Sequence, residues 1–303
     1  MFPNAHNATN RNAFPPMSEL IKREYVNCAL CGADNTRLLY SIPIQTRLLS
    51  SLWVHGEQVV LNETATVVAC RRCGLHYVNP RWVFDAAVTG YTEAMEQAYF
   101  AHTYAARQQT YQRFVRTLPH WLGRQVDRLL DIGCGDGVLL EAAAATGIAC
   151  TGTELSPHLQ QVLREKYQGR IAIWESLEAI AEQTFDVITL INVIEHVAAP
   201  QELLATLANQ LCPDGVLFVH TPNAGGLPAR LRGAQWSQIE PLGHLYYFTA
   251  QTLSALLQKS GLEPIGRFHL AVSGNVKGSV QEGLGRMGLY LDNGLGIVAR
   301  RKA

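Results

Sequence analysis

Four of the seven cysteines occur as two Cys-x-x-Cys pairs, a spacing that can hold a metal ion. The pairs are Cys28 with Cys31 and Cys70 with Cys73, and each second cysteine is followed by glycine. One tight turn can direct both thiolates of a pair toward the same ion, and the glycine permits the left-handed backbone of that turn. Two pairs supply the four thiolates of a closed, structural zinc site. The sequence therefore predicts Zn2+ bound by these four cysteines.

The competing interpretation of these pairs is a redox site. It is the weaker one, because there are two pairs and neither lies in a thioredoxin-like βαβ segment. The 38 residues between the pairs are rich in strand-forming residues. This composition is typical of a zinc ribbon with a long insertion between its two turns.

A second chemical signal is the glycine-rich segment from Asp131 to Gly137, with glycines at 133, 135 and 137. It follows a short apolar run and precedes a helical one, and glycines at such a turn let the backbone approach a ligand closely. Glu154 comes 17 residues after Gly137, at the end of the next predicted strand, where a carboxylate can accept hydrogen bonds from ribose hydroxyls. These features also occur in NAD-binding proteins, and glycines can serve tight packing alone. The residues themselves leave that choice open.

Strands and helices alternate from residue 128 onward. Apolar runs predict strands at 129–132, 149–153, 171–174, 185–191 and 216–220, with two more near 263–270 and 295–300. Helices are predicted at 138–145, 157–167, 200–211 and 249–260, with a turn at 213–215. This alternation predicts an α/β fold whose mostly parallel sheet carries helices on both faces. Ligands of such sheets bind at the carboxyl ends of the strands.

The predicted organisation has four parts. Residues 1–22 form a flexible tail, 23–85 a zinc ribbon, 86–126 a helical connector, and 127–303 the α/β domain. Within the connector, helical spacing over residues 92–118 predicts one or two helices, which Pro119 ends.

Composition narrows the class of protein. The chain has 303 residues, of which 48% are hydrophobic and 17% charged, as is ordinary for a soluble globular protein. Lys plus Arg equals Asp plus Glu at 25 each, which argues against a nucleic-acid partner. No apolar stretch is long enough to cross a bilayer, and the N-terminus lacks the features of a secretory signal. A cytoplasmic location with reduced thiols is therefore expected.

The glycine segment 129–137, the segment 185–197 and the segment 211–223 together resemble the motifs of class I S-adenosylmethionine-dependent methyltransferases. Their spacing and order match over residues 128–300. The resemblance implies a Rossmann-like fold and S-adenosylmethionine as the methyl donor. It places Gly133, Gly135 and Gly137 at the methionine and ribose, with Asp131 near the amino group. It further implies that Glu154 binds the ribose, Leu155 packs on adenine, Ser176 and Leu177 meet the adenine edge, and Asn192 faces the methionine end.

The N-terminal half is similar to the zinc-ribbon segment of a subset of these enzymes, which often act on sugars or in natural-product pathways. In the sugar C-methyltransferases of that subset, a Glu-His pair stands where this chain has Gly243-His244. The missing carboxylate favours O-methylation over C-methylation. The resemblance therefore implies methyl transfer to a hydroxyl of a small molecule, with a sugar or a nucleotide-linked sugar as the narrower expectation.

Two histidines are candidates for the base that takes the hydroxyl proton, since histidine titrates near neutral pH. His196 follows the fourth predicted strand, and His244 precedes the last long helix. Each could instead hold a loop by hydrogen bonds, and Glu195 is interpreted as a structural acceptor.

Two further hypotheses about the function of the protein are kept. One is RNA base methylation, although no Asn/Asp-Pro-Pro-aromatic motif follows the fourth strand; the other is a non-enzymatic docking protein.

Overall fold

The computed structural model describes residues 21–46, 51–54, 57–60, 62–84, 88–89, 93–270 and 293–302. Of the predicted tail 1–22, residues 1–20 lie outside the described residues.

Short antiparallel strands make up the first part of the chain. They are β1 (Ile21–Glu24), β2 (Thr36–Pro43), β3 (Ser51–Val54), β4 (Glu57–Val60), β5 (Thr64–Cys70), β6 (His76–Val78), β7 (Arg81–Phe84) and β8 (Val88–Thr89), with a helical turn at Ile44–Thr46. Strand β1 pairs with β7, β2 with β5, β5 with β6, and β3 with both β4 and β8.

One helix, α1 (Glu93–Leu122), connects this part to the α/β domain, and it does not end at Pro119 as the sequence suggested. Pro119 removes one amide donor and crowds the carbonyl one turn before it, yet the helix continues for three more residues. Leu118 and Leu122 are both buried, so the extra turn brings a second leucine into the core. The helix stops at Gly123, which has a φ of 74° and donates its amide to the Pro119 carbonyl at 2.9 Å.

The remaining elements alternate as predicted. The strands are β9 (Arg128–Ile132), β10 (Ala149–Thr153), β11 (Ala172–Trp174), β12 (Phe185–Ile191), β13 (Leu211–Pro222), β14 (Tyr246–Tyr247), β15 (Leu262–Arg267) and β16 (Gly294–Arg301). The helices are α2 (Val138–Ala144), α3 (Pro157–Tyr167), α4 (Pro200–Asn209), α5 (Leu227–Arg232) and α6 (Ala250–Lys259), with short turns at Glu178–Ile180, Ile194–His196 and Gly233–Gln235.

Seven of these strands form one sheet in the order β11-β10-β9-β12-β13-β16-β15. The first five are parallel, and β16 runs antiparallel to both of its neighbours. Successive residues alternate between two core clusters, as Leu129 and Leu130 do, so both faces of the sheet are buried. The sheet builds outward in both directions from β9, and the point where strand order reverses is where such sheets bind ligands.

The predicted turn at 213–215 lies inside strand β13 as an irregularity. Leu211 pairs with Phe185 and Val216 with Val187, so the four residues from Cys212 to Gly215 lie opposite Asp186 alone. Proline and glycine within a strand are typical of such a bulge, which explains why the segment resembled a turn.

The sheet formed by β2, β5 and β6, which we call the ribbon sheet, is continuous with the second half of the chain. Strand β14 adds to β6, pairing Tyr246 with Tyr77 and Tyr247 with His76, to give the order β14-β6-β5-β2. Side chains of the ribbon, including Leu75 and Tyr77, belong to the same core cluster as one face of the large sheet. The ribbon sheet and the α/β domain therefore share a hydrophobic core and are not joined by a linker alone.

Candidate functional site

The four paired cysteines meet at one point, held by two turns of the same design. In the first turn, Cys28 donates its amide to the Ala33 carbonyl and Gly32 donates to the Cys28 carbonyl, at 2.9 and 2.8 Å. The second turn repeats this pattern: the Cys70 amide donates to the Leu75 carbonyl at 2.9 Å, and the Gly74 amide donates to the Cys70 carbonyl at 3.0 Å. Gly32 and Gly74 have φ values of 74° and 79°, the left-handed region that glycine adopts readily.

The thiols of the cluster have spacings that suit one metal ion. The sulfurs of Cys28 and Cys73 lie 3.4 Å apart, as do those of Cys31 and Cys70, and all four lie within 4.8 Å of one another. Four sulfurs at Zn–S distances of about 2.3 Å would be separated by about 3.8 Å. The donor set and its spacing therefore fit a zinc ion with no open position.

The glycine loop follows β9 and has little room for side chains. Gly133, Gly135 and Gly137 all have positive φ, between 56° and 78°. A Cβ atom at Gly133 would lie 2.7 Å from the Val193 side chain, and one at Gly135 would lie 2.9 Å from the Phe100 ring. A Cβ atom at Gly137 would collide with the Tyr167 hydroxyl. These glycines thus combine a backbone requirement with a packing requirement.

Asp131 is the next-to-last residue of β9, just before this loop, and its carboxyl is buried. Thr189 Oγ1 donates to Asp131 Oδ1 at 2.6 Å. Among the described residues, no lysine or arginine forms an ion pair with it. Burial raises the pKa of Asp131 to about 7, and the nearby Glu154 adds to the rise. This carboxyl would be stabilised in its charged form by a cation brought into the site.

Glu154 follows β10 and closes the loop from the other side. Its Oε2 accepts from the Gly135 amide at 2.8 Å, and its Oε1 accepts from the Ser156 amide at 2.9 Å. Each carboxylate oxygen has a second acceptor direction, so both can still accept from a pair of ligand hydroxyls. The two amide bonds fix the carboxylate in place for that purpose.

Helix α1 covers the loop with residues that the sequence analysis missed. Arg107 forms a two-fold ion pair with Asp136, at 2.6 and 2.7 Å, and also donates to the Phe100 carbonyl. Its guanidinium stacks on the Phe100 ring, 5.1 Å from the centroid. Phe100, Tyr104, Arg107 and Tyr111 recur at spacings of four, three and four residues. One helix face carries residues at these spacings, so the pattern was available as a signal.

The opposite end of the site is built after β12 and β13. Asn192 follows β12 with a φ of 54°, an uncommon conformation that asparagine tolerates better than most residues. Its Oδ1 lies 3.2 Å from His220 Nδ1. Glu195 is buried, and its Oε2 accepts from Thr221 Oγ1 at 2.9 Å. Burial raises the pKa of Glu195 to about 7.

His196 and His244 lie side by side, with ring centroids 4.8 Å apart in an edge-to-face arrangement. His196 Nδ1 lies 2.9 Å from the Gly243 carbonyl, and His244 Nδ1 lies 2.8 Å from the Gln238 carbonyl. A carbonyl only accepts, so each Nδ1 carries the proton and each neutral ring presents a lone pair at Nε2. Burial lowers the pKa of His244 to about 4, and the nearby His196 contributes to the shift.

One cavity of about 480 Å³ joins these groups. Of the residues predicted from the sequence, seven line it: Asp131, Gly133, Gly135, Glu154, Asn192, His196 and His244. The other lining residues include Phe100, Arg107, Tyr111, Leu159 and Glu195. Four predicted residues lie outside its lining. Gly137 packs under Tyr167, Leu155 is 83% exposed, and Ser176 and Leu177 are half-buried beyond β11.

A central parallel strand, a glycine loop after it and an acidic residue after the next strand together define a Rossmann-like nucleotide-binding domain. A family model described as Methyltransferase domain matches residues 102–265, more than half of the chain. The protein therefore belongs to the methyltransferase domain family. The predicted fold class and the predicted resemblance to methyltransferases are both confirmed by this match.

Two curated relatives and one solved structure add to this assignment. The ubiquinone biosynthesis O-methyltransferase of Xanthomonas euvesicatoria pv. vesicatoria (strain 85-10) is 31% identical over 149 residues, covering 45% of this chain and 62% of the relative. That of Cereibacter sphaeroides (strain ATCC 17029 / ATH 2.4.9) is 34% identical over 155 residues, covering 46% and 62%. The chain thus spans about three fifths of the length of these relatives.

The solved structure is the plantazolicin methyltransferase BpumL in complex with a monoazolic desmethylPZN analog and SAH. It is 15% identical, with a TM-score of 0.50 over 68% of this chain and 88% of that one, and the likeness concerns the fold.

Among the described residues, no helix combines the length and the apolar character needed to span a bilayer.

Proposed function

We propose that this protein transfers the methyl group of S-adenosylmethionine to a hydroxyl of a small molecule. The observation that carries the proposal is one cavity whose lining includes Asp131 and Glu154 as well as His196 and His244. The first pair suits a cationic, ribose-bearing donor, and the second suits an acceptor that must lose a proton.

The donor end fits S-adenosylmethionine in charge and shape. Asp131 is a buried carboxyl without a cationic partner among the described residues, which matches the amino group of the methionine part. Glu154 retains acceptor directions for the ribose hydroxyls. Gly133 and Gly135 leave backbone rather than side chains facing the cavity. Gly137 has a supporting part in this proposal, since it lets α2 begin directly under Tyr167.

The adenine is proposed to lie beyond Glu154, over Leu155. Leu155 is a large apolar side chain next to Glu154 with 83% of its surface exposed, and covering it with a base would remove this area from water. Ser176 and Leu177 follow the neighbouring strand β11 and are proposed to meet the adenine edge.

When bound, S-adenosylmethionine supplies a sulfonium methyl with a good leaving group. The chain's residues then have to align the acceptor and receive its proton. Asn192 lines the same cavity as the two histidines and is proposed to face the methionine end. The Nε2 lone pairs of His196 and His244 are the proposed proton acceptors, because their Nδ1 atoms are already engaged with carbonyls. The low pKa of His244 keeps that ring neutral at pH 7.

Two observations support a hydroxyl acceptor and, more narrowly, a sugar. The curated relatives are named for O-methylation, which agrees with a hydroxyl acceptor rather than a carbon acceptor. The narrower proposal, a sugar or a nucleotide-linked sugar, rests on the sequence resemblance of the zinc ribbon and of residues 243–249. A phenolic hydroxyl, which loses its proton near pH 10, is the alternative to be screened beside it.

The four-part organisation predicted from the sequence is part of the proposal. Residues 23–85 are proposed to form a zinc ribbon whose ion is structural, since the four thiolates of Cys28, Cys31, Cys70 and Cys73 would fill its coordination sphere. The connector 86–126 places α1 over the donor end of the domain at 127–303.

The test is isothermal titration of the purified protein with S-adenosylmethionine. Glu154→Gln removes the charge and keeps the shape, and Glu263→Gln is the control, because Glu263 is exposed on β15 far along the sheet. We expect micromolar binding that Glu154→Gln weakens by about tenfold or more and Glu263→Gln leaves unchanged.

A folded, zinc-loaded protein that does not bind S-adenosylmethionine would overturn the enzyme proposal in favour of a docking protein. Binding that survives Glu154→Gln unchanged would place the ribose elsewhere. If the donor binds, radiolabelled methyl transfer to sugars, nucleotide-linked sugars and phenols identifies the acceptor, and retention on RNA at low salt would instead support a nucleic-acid acceptor.

A further inference from the structure

Glu195 has a polar atom whose burial is not compensated within the described residues. The side chain is 1% exposed, and its Oε2 accepts from Thr221. Its Oε1 is fully buried and has no hydrogen-bond partner among the described residues. A buried carboxylate oxygen without a partner costs free energy, and such an atom at a functional site commonly has a ligand. Glu195 lines the same cavity as His196 and His244.

The two histidines of this cavity each have an unshared lone pair on one ring nitrogen. The Nδ1 of each ring is held by a backbone carbonyl, which leaves Nε2 deprotonated. His196 Nε2 lies 4.0 Å from Glu195 Oε1. One ligand atom from each of Glu195, His196 and His244 lies within 4.8 Å of the other two. Two imidazoles and a carboxylate that face one point form a ligand set found in zinc and non-haem iron enzymes.

We propose that Glu195, His196 and His244 bind a divalent transition-metal ion at the acceptor end of the cavity. Bonds of about 2.0–2.2 Å require ligand atoms separated by roughly 3.0–3.6 Å, so the cluster would close by about 1 Å on metal binding. Three protein ligands leave coordination positions open toward the cavity, as in catalytic metal sites. The four-cysteine cluster, by contrast, has no open position.

The supporting contacts are those expected around a metal ligand set. The ring orientation of each histidine is fixed by a carbonyl at Nδ1, and the orientation of the Glu195 carboxylate is fixed by Thr221 at Oε2. The two ligand-bearing segments are also joined through their backbones, since the Leu245 amide donates to the Glu195 carbonyl at 2.8 Å. The ligands are thus held together before any ion binds.

The consequence for methyl transfer rests on the proposed function, whereas metal binding does not. With the ion bound, the Nε2 atoms of His196 and His244 would be ligands and would no longer accept the proton. An acceptor hydroxyl bound at an open position would instead lose its proton to solvent more readily, because the cation stabilises the oxyanion. The oxyanion would then form the new O–C bond while the S–C bond breaks. The electron pair of that bond goes to sulfur, so the cation on sulfur and the anion on oxygen are both neutralised. Sugar hydroxyls, which are much weaker acids than phenols, would benefit most.

The experiment is titration of the zinc-loaded protein with Mn2+, followed by the loss of the electron paramagnetic resonance signal of free Mn2+. Manganese suits oxygen and nitrogen ligands and is the poorest competitor for thiolates, so it distinguishes this cluster from the four cysteines. We expect one Mn2+ per chain. Glu195→Gln, His196→Gln and His244→Gln should each weaken binding by at least about tenfold. His120→Gln, on the exposed side of α1, is the control and should not change it.

Absence of Mn2+ binding at millimolar concentration would overturn the proposal, as would binding that none of the three variants weakens. His196 is the safest variant, because 44% of its side chain is exposed and its replacement leaves the core intact. Parallel titration with S-adenosylmethionine separates the two proposals. Manganese binding without donor binding supports the metal site and refutes the methyl donor, whereas donor binding without manganese binding does the reverse.

Discussion

The four-cysteine cluster and the donor end of the cavity are both built on glycines with positive φ, but the two sets of glycines have different surroundings. A Cβ atom added at Gly32 or Gly74 would meet nothing within 4 Å. One added at Gly133 or Gly135 would lie closer than 3.0 Å to a neighbouring side chain. The ribbon glycines therefore serve the backbone conformation alone, whereas the loop glycines must also leave space.

The difference reflects what each region presents to its ligand. In the proposed zinc site the two cysteine turns present side chains, because the thiolates would be the ligands and the glycines only shape the turn. The loop presents backbone, because a side chain at Gly135 would occupy the place where Phe100 now covers the loop. Glycine thus accompanies a proposed metal site in one region and a proposed cofactor contact in the other.

The largest effect is expected from removing one cysteine of the four-cysteine cluster. Cys31→Ser removes one of four thiolates, and the metal's binding free energy in such sites is also folding free energy. We expect loss of the bound zinc and a fall in the free energy of unfolding of more than about 4 kcal/mol. Cys212→Ser is the control, since Cys212 is outside the cluster. Zinc content by mass spectrometry and thermal unfolding check the result, and a stable, zinc-loaded Cys31→Ser protein would contradict it.

The next prediction tests the two sets of glycines directly. Gly135→Ala and Gly74→Ala both place an L-residue at positive φ, which costs about 1–2 kcal/mol in each. Only Gly135→Ala also forces Phe100 out of its place, at a further 1–3 kcal/mol or so. We therefore expect Gly135→Ala to weaken S-adenosylmethionine binding by roughly 10- to 100-fold and Gly74→Ala to leave it unchanged. Calorimetry measures the S-adenosylmethionine affinity of both variants. Equal losses of affinity would contradict the packing requirement assigned to Gly135.

The pH dependence of S-adenosylmethionine affinity tests the proposed role of the Asp131 carboxyl. The pKa of Asp131 is raised from 3.8 to about 7, so the free protein holds this carboxyl in its neutral form below pH 7. A cationic ligand prefers the carboxylate, and its affinity should therefore fall as pH falls below 7, by up to about tenfold per unit. Asp131→Asn should weaken binding at pH 8 and remove this dependence. A wild-type affinity that stays constant from pH 8 to pH 5 would contradict the assignment.

The same pKa shift has a consequence for the free protein's stability. Between pH 3.8 and about 7 the folded chain holds a proton at Asp131 that the unfolded chain has lost. Through this group, rising pH therefore destabilises the ligand-free fold across that window.

The smallest expected effect concerns helix α1. Arg107→Ala removes the ion pair with Asp136 and the cation–π contact with the Phe100 ring. Helix α1 should therefore hold Phe100 less firmly over the glycine loop. We expect S-adenosylmethionine to bind about 3- to 10-fold more weakly, mainly through faster dissociation. Arg113→Ala on the exposed face of the same helix is the matched control. Stopped-flow dissociation rates check the prediction, which is wrong if the two variants behave alike.

The fold could be predicted from the sequence where local pattern decides the structure. Strand β12, with seven consecutive residues from Phe185 to Ile191, and helix α3, which begins with Pro157, appear with the predicted bounds. Two features depended on more distant contacts. The turn at 213–215 became a bulge because β13 pairs with β12 on both sides of it. Helix α1 passed Pro119 because Leu122 reaches the core.

The donor end was more accessible to sequence reasoning than the acceptor end. Asp131, Gly135 and Glu154 belong to one local strand–loop–helix–strand unit, and their spacing alone places them together. His196 and His244 are far apart in sequence, and their contact depends on strand β14 and its neighbours. The role of Phe100 and Arg107 was missed because a helical stripe does not indicate which surface it will cover.

The pairing of β14 with β6 also bears on how the chain folds. Residues 76–78 are made long before residues 246–247, so the ribbon sheet cannot be completed until most of the chain has been synthesised. Contacts between such distant segments slow folding, because the intervening chain must be closed into a loop first. We therefore expect the edge of β6 to be exposed in nascent chains and to be the point at which incomplete chains aggregate.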